Sequence, residues 1–263
     1  MAAFALAASA FVPAGAGAQV PPAVAAINET APLPAAQIPT PISSALNAPD
    51  RPADDKKLDP GRKPDQVMAF FGIQPGMKVA DLWAGGGYTT EVLSRIVGPA
   101  GTVYSQNGPI PERFKKVGDA WHARLKSPDL KNVVEVDKAF DAPDLLPVPP
   151  GSLDAVVMNL NYHDMVGLKM NRDSVNAAVF KALKPGGVYG IVDNSAQNGS
   201  GDRDTTTIHR IDEDFVVKDI EKAGFKLAAA SSALRNPKDD RTWLVFKHRD
   251  EVDRFILKFV KPN

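Results

Sequence analysis

The chain from Met77 to Gly98 constrains the fold more than any other stretch. Val79 to Trp83 is a short apolar run that carries one acid, Asp81, and it reads as a buried strand. Gly85, Gly86 and Gly87 follow, and they let the backbone turn sharply and come close to a ligand with no side chain in the way. A helix then begins at Tyr88. Val92, Leu93, Ile96 and Val97 fall on one of its faces, and Gly98-Pro99 stops it. A strand, a glycine turn and a helix make the first half of a nucleotide-type site, because the free N–H groups at the helix start point at whatever lies above the strand end.

Two ligands are disfavoured by spacing. A dinucleotide fingerprint requires a third glycine three positions after the second, where this chain has Thr90. A phosphate-binding P-loop requires Gly-Lys-Ser/Thr, which does not follow these glycines. What is left is Asp-x-x-x-Gly-x-Gly. It resembles motif I of the class I S-adenosylmethionine-dependent methyltransferases, Asp/Glu-x-Gly-x-Gly-x-Gly, with Asp81, Gly85 and Gly87 matching and Trp83 in place of the first glycine. An ordinary strand-to-helix turn is the plain alternative.

With 263 residues the chain has room for one α/β domain and a tail. Lys+Arg and Asp+Glu both number 31, so no net field favours nucleic acid or an acidic membrane. Cysteine is absent, which excludes disulfides, thiolate metal sites and a cysteine nucleophile. Residues 1–18 look like the apolar region and small-residue cleavage site of a secretory signal without its basic start, and they are too short for a stable membrane span. A periplasmic or secreted location follows as the expectation, with a cytoplasmic one as the alternative. Residues 19–49 are rich in Pro and Ala without periodicity and read as a disordered linker, and 50–263 as the folded domain. The charged segment from Asp50 to Lys63 reads as a solvated entry, or else as a flap over the ligand site.

Within the domain, apolar strands alternate with helices: strands at Thr102–Gln106, Val133–Val136, Leu153–Leu160, Val188–Val192, Lys226–Ala230 and Arg254–Val260 follow the first. Phe114, Val117, Trp121 and Leu125 repeat at helical spacing as a core stripe, with His122 beside it on the surface. Such alternation predicts a mostly parallel α/β sheet covered on both faces. The methyltransferase resemblance sharpens this to a Rossmann-like three-layer sandwich with seven strands, order 3-2-1-4-5-7-6, the last antiparallel.

Further segments carry the same resemblance. Phe140-Asp141-Ala142 with Leu146-Pro147 is similar to the segment after strand three in which the acid, here Asp141, receives the adenine amino group. Ser152-Leu153-Asp154 is similar to the opening of strand four, and Leu183-Lys184-Pro185-Gly186-Gly187 to the turn before strand five. His209-Arg210-Ile211, Ala223-Gly224-Phe225 and the C-terminal strand look like one bacterial group of predicted, often exported, methyltransferases. The implied cofactor is S-adenosyl-L-methionine, held by Asp81, Trp83, Gly85, Gly87, Tyr88, Asn107, Asp141 and Asn159. Asn107 stands where the family has a ribose-binding acid after strand two; an amide keeps one donor and one acceptor direction but loses the charge-assisted strength.

A sulfonium is an activated methyl donor, so positioning and water exclusion are the protein's main work, worth up to ~7–11 kcal/mol. Just past strand four lie Asn159, Tyr162, His163 and Asp164. His163 is the candidate base, Asp164 its neighbour, and Asn159 and Tyr162 its companions. A polar cap on the strand is the plain alternative. His209 and Arg210 precede the late helix and read either as residues on the substrate side, with Arg210 suited to a carboxylate or phosphate, or equally as a solvated loop. No His-x-x-x-His or Cys pair is present, so no metal centre is expected, and without Gly-x-Ser-x-Gly hydrolase chemistry is disfavoured. Expected, then, is methyl transfer to a small-molecule acceptor. A non-catalytic exported binding protein on the same scaffold is the second reading. The number of subunits is open.

Overall fold

The computed structural model describes residues 29–263. The signal-like run and the first part of the Pro/Ala-rich segment lie outside the described residues. The expected linker does not hold over its later part: Thr40–Asn47 forms helix α1, because Ile42 and Ala45 are buried one turn apart against the domain. Two short helices follow, α2 (Ala53–Lys56) and α3 (Asp59–Arg62), then α4 (Pro64–Phe71). Pro64 opens α4 at a first-turn position, and Gly72 closes it at φ 78° with its N–H on Met68 and Ala69 carbonyls.

The domain then runs β1 (Lys78–Leu82), α5 (Tyr88–Val97), β2 (Thr102–Asn107), α6 (Lys115–Arg124), β3 (Val133–Asp137), β4 (Leu153–Asn159), α7 (Tyr162–Gly167), α8 (Arg172–Ala182), β5 (Leu183–Asn194), α9 (Glu213–Glu221), β6 (Lys226–Ser231) and β7 (Arg254–Val260). One seven-stranded sheet has the order β3-β2-β1-β4-β5-β7-β6. Strands β1 to β5 pair in parallel, and β7 enters antiparallel between β5 and β6. This is the expected order and polarity.

Each face of the sheet has its own core, as the two-residue period of a strand requires. Val79, Val103, Ala155 and Val157 pack under α1, α4 and α5. Ala80, Leu82, Val156 and Met158 face α7, α8 and α9. Asp81 therefore points to the α5 face, where Thr90 and Ser105 are its polar neighbours.

Two local expectations need correction. The Phe114–Leu125 stripe is core only at Trp121: Phe114 and Val117 are 49% and 39% exposed, because α6 lies at the margin of the sheet and buries a narrow strip. The Lys184-Pro185-Gly186-Gly187 turn is absorbed into β5 as a bulge. The β4–β5 register jumps from Leu153↔Leu183 to Ala155↔Val188, and Gly186 takes φ 73° there. Among the described residues no helix is long and apolar enough to cross a membrane.

Parallel strands put their carboxyl ends on one edge. The order reverses between β1 and β4, with one connection leaving to each side, so a crevice opens there. The principal cavity on this edge of the sheet, about 590 Å³, lies at that point. Its size falls in the range usual for small-molecule sites, roughly 300–1,000 Å³.

Candidate active site

The β1 wall of the cavity is built by one continuous segment. Asp81, Trp83, Gly85, Gly86, Tyr88 and Thr89 all line it. Gly85 has φ 57°, and a Cβ built on Gly85 or Gly86 would meet nothing within 4 Å. Their backbone therefore faces open space, as a ligand cradle requires. Gly87 serves a different purpose. It does not line the cavity, has φ 85°, and a Cβ there would stand 2.5 Å from the Trp121 ring. Its missing side chain lets α5 pack against α6. Gly87, expected to hold the cofactor, thus stands outside the cavity, and Gly86 lines it instead.

Trp83 explains its own departure from the glycine motif. It adopts φ 55°, a region that glycine enters freely and a tryptophan enters at a cost of ~1–3 kcal/mol. Its backbone is pinned there: the N–H donates to Gln106 Oε1 at 3.0 Å, and the carbonyl accepts from Asn161 at 3.1 Å. The indole lines the cavity and packs on the Phe140 ring, with centroids 5.1 Å apart.

Asp81 is 1% exposed. Its carboxyl meets the Thr90 hydroxyl at 2.6 Å, and Thr90 meets Ser105 at 3.0 Å. Burial pushes the carboxyl pKa up to about 7, against the bonds from Thr90 and the nearby Arg62 charge. Thr90, the residue that breaks the dinucleotide pattern, is thus the partner of the motif acid.

The opposite wall is assembled from distant segments. Asn159 ends β4, lines the cavity, and its amide reaches the Thr89 hydroxyl at 3.4 Å. His163 sits in the first turn of α7 and is 3% exposed. Its Nδ1 bonds Asp193 Oδ1 at 2.7 Å, and its Nε2 faces His209 Nδ1 at 3.3 Å and Asp164 Oδ1 at 3.4 Å. Asp193, at the end of β5, is itself fixed by the backbone N–H groups of His163 and Asn194 at 2.8 and 2.7 Å. Burial disfavours the imidazolium, but the charge and hydrogen bond of Asp193 and the charge of Asp164 outweigh it, so the His163 pKa lies above the ordinary value.

The charged segment before α4 covers the site. Asp55, Leu58 and Arg62 line the cavity. The Tyr88 hydroxyl donates to Asp59 at 2.6 Å, Arg51 pairs with the same carboxylate, and Arg124 of α6 bridges Asp55 and Glu91. The flap reading describes this segment. Among the described residues, Arg62, Arg249 and Arg254, all in the lining, have no carboxylate in ion-pair range. Burial, with the Arg62 charge beside it, lowers the Arg254 pKa to about 10.

The cavity brings together Asp81, Trp83, Gly85, Tyr88, Asn159, His163 and His209. Besides Gly87, four expected residues stand elsewhere. Asn107 forms reciprocal bonds with the Gly85 backbone, 2.8 Å from its N–H and 3.2 Å to its carbonyl, and lines a neighbouring cavity of about 250 Å³. Asp141 is exposed and lies outside the principal cavity, so it does not share that space with Asp81. Tyr162 is fully buried, with its hydroxyl donating to Asp219 at 2.8 Å and accepting from Asn176 at 3.1 Å; it is a core residue. Arg210 is fully buried and paired with Asp239 at 2.9 Å, so it holds the loop that presents His209. Sequence reasoning missed Asp193, whose only signal is an acid ending an apolar strand.

Comparisons with known proteins agree with this architecture. The sequence model of the protein-L-isoaspartate(D-aspartate) O-methyltransferase family matches residues 64–138. The ubiquinone/menaquinone biosynthesis C-methyltransferase UbiE of Shewanella pealeana is 34% identical over 116 residues, 44% of this chain and 42% of that protein. The UbiE of Pasteurella multocida is 31% identical over the same length, 44% and 39% of the two chains. The matched part thus spans less than half of these curated relatives. Among solved structures, a SAM-dependent methyltransferase from Aquifex aeolicus superposes with TM-score 0.57 at 19% identity, covering 79% of this chain and 97% of that one. Strand order, glycine turn and these similarities together give the chain the fold of the class I S-adenosylmethionine-dependent methyltransferases.

Proposed function

We propose that the principal cavity binds S-adenosylmethionine on its β1 wall and that the chain transfers the methyl group to a small molecule held against the His163 wall. One observation carries this reading: an open glycine cradle beside a buried carboxylate, Asp81, faces a buried His–Asp pair across a single cavity. The donor set fits the cofactor. Gly85 and Gly86 leave backbone room, Asp81 supplies a buried carboxyl whose ionised form a cationic ligand favours, and Asn159 adds an amide. The cofactor supplies a methyl group on a positively charged sulfur.

The chain's own residues do the rest. The segment carrying Asp55 and Arg62 limits water access from above. Asp193 holds His163 Nδ1, which leaves Nε2 directed at the cavity to accept a proton from the acceptor. Arg62, Arg249 and Arg254 favour an anionic group on the bound ligands, either the cofactor's carboxylate or one on the acceptor. The likeness to the UbiE proteins supports a small-molecule acceptor. The match to the isoaspartate methyltransferase family stops at residue 138, before His163, and so carries no acceptor across.

Incubation of the protein with methyl-labelled cofactor and a small-molecule bacterial extract tests this. Label is expected in a low-molecular-weight product and absent with His163→Ala. Tight cofactor binding with no transfer to any acceptor would favour the alternative of a binding protein. The bonds between Asn107 and Gly85 are what favour that alternative, because they occupy the amide expected at the ribose.

A further inference from the structure

Spacing along the chain gives no metal motif, but the fold builds a metal-sized triangle. His163 Nε2, Asp164 Oδ1 and His209 Nδ1 lie within 4.8 Å of one another. The three edges are 3.3 Å between the two imidazole nitrogens, 3.4 Å from His163 to Asp164, and 3.5 Å from His209 to Asp164. The same three atoms define every edge. Ligands held 2.0–2.1 Å from a tetrahedral metal stand roughly 3.3–3.4 Å apart, whereas a right-angled octahedral face would bring them to roughly 3.0 Å.

Support behind the triangle matches what metal-ligating histidines need. The bond from His163 Nδ1 to the buried Asp193 sets the tautomer that leaves Nε2 with a free lone pair. His209 is held from two sides: its carbonyl accepts from Asn194 at 3.1 Å, and its ring rests on Phe246 at 4.6 Å. His209 also occupies φ 56°, a left-handed conformation maintained by these contacts. All three ligand side chains line the principal cavity, so a fourth position would open onto it.

We propose that His163, Asp164 and His209 bind one divalent transition-metal ion, of the zinc or cobalt(II) type, with its remaining coordination position facing the cavity. Two imidazoles and one carboxylate suit a borderline metal and not magnesium or calcium, which take oxygen ligands. Metal and proton compete for the same Nε2 lone pair, so in the loaded protein His163 no longer serves as a base. The site stands on the geometry of three atoms and does not depend on the methyl-transfer reading.

Titration of the full-length, chelator-treated protein with Co²⁺, read by calorimetry and by visible absorption, tests the site. One equivalent is expected to bind, with the intense d–d bands of four-coordinate cobalt, and Zn²⁺ is expected to displace it. His209→Gln and Asp164→Asn, both on partly exposed residues, should each weaken binding at least 100-fold while leaving the far-UV spectrum unchanged. Asp193→Asn should weaken it by roughly 10–100-fold, as loss of a supporting hydrogen bond does. His122→Gln and His248→Gln, on the exposed surface, should change nothing. No binding at millimolar Co²⁺, or binding unchanged in both His209→Gln and Asp164→Asn, would overturn the proposal. Cofactor titration is a separate measurement, so failure of either reading leaves the other standing.

Discussion

The two walls of the cavity are made in opposite ways. The β1 wall is contiguous: Asp81 to Thr90 supply its acid, its cradle and the acid's partner within ten residues. The β4–β5 wall gathers His163, Asp193 and His209 from three segments, and it rests on a buried ion pair, Arg210–Asp239, from a fourth. The first wall owes its shape to backbone conformation, chiefly positive φ at Trp83, Gly85 and Gly87. The second owes its shape to side-chain networks. Damage should therefore be local on one side and distributed on the other.

Arg210 gives the largest test of that difference. Its guanidinium is fully buried, bonds both oxygens of Asp239 and the Ser195 and Trp243 carbonyls, and lies 4.5 Å from the Trp243 ring centroid. Arg210→Ala strands the Asp239 charge, so chemical denaturation should show a loss of ~3–5 kcal/mol. A change below 1 kcal/mol would mean that the loop carrying His209 is held in some other way.

Asp81 makes the contiguous wall sensitive to pH. Its folded pKa is raised to about 7 from an ordinary 3.8, chiefly by burial. The folded state thus holds this proton more tightly than the unfolded state does. The contribution is full below the unfolded pKa and is lost as pH rises through about 7, on the order of a few kcal/mol. Asp81→Asn should flatten the fall in stability between pH 4 and 8, measured by denaturation across that range. An unchanged slope would show that other groups set it.

Two glycines on the same wall should separate binding from stability. Gly87→Ala places a Cβ 2.5 Å from Trp121 at φ 85° and should cost ~2–4 kcal/mol of stability. Gly85→Ala meets no atom within 4 Å and should cost about 1 kcal/mol, from its φ of 57° alone, yet impair cofactor binding because the new methyl occupies the cradle. Equal melting curves for the two variants would contradict the division of roles. The smallest effect on binding is expected at Arg62→Gln, which removes one of three cavity arginines without a carboxylate partner and should weaken binding of an anionic ligand about tenfold, in line with one charged hydrogen bond.

How much was legible in the sequence follows from the same contrast. The alternation of strands and helices, the glycine turn and Asp81 are readable because strand periodicity and turn chemistry are local, whereas the strand order came from the family resemblance. Thr90 shows in the sequence as a missing glycine, although its spacing from Asp81 places it in the first turn of the following helix. Tyr162 and His163 were adjacent candidates with nothing local to divide them. In α7, one side chain turns into the core towards Asp219 and the next into the cavity. Asp193 and the His163–Asp164–His209 triangle were invisible for another reason: parallel strands bring their ends together across long sequence separations, and no spacing rule records that. Asn107 and Asp141 came from a resemblance, and the cavity includes neither.

Calorimetric titration with S-adenosylhomocysteine is the most direct test of the central claim, that the cradle beyond Asp81 holds the cofactor. Saturable binding of one equivalent is the predicted result, strongly weakened in Asp81→Ala and in Gly85→Val but retained in His163→Ala. Absence of heat at millimolar ligand, or equal affinity in Gly85→Val, would contradict it.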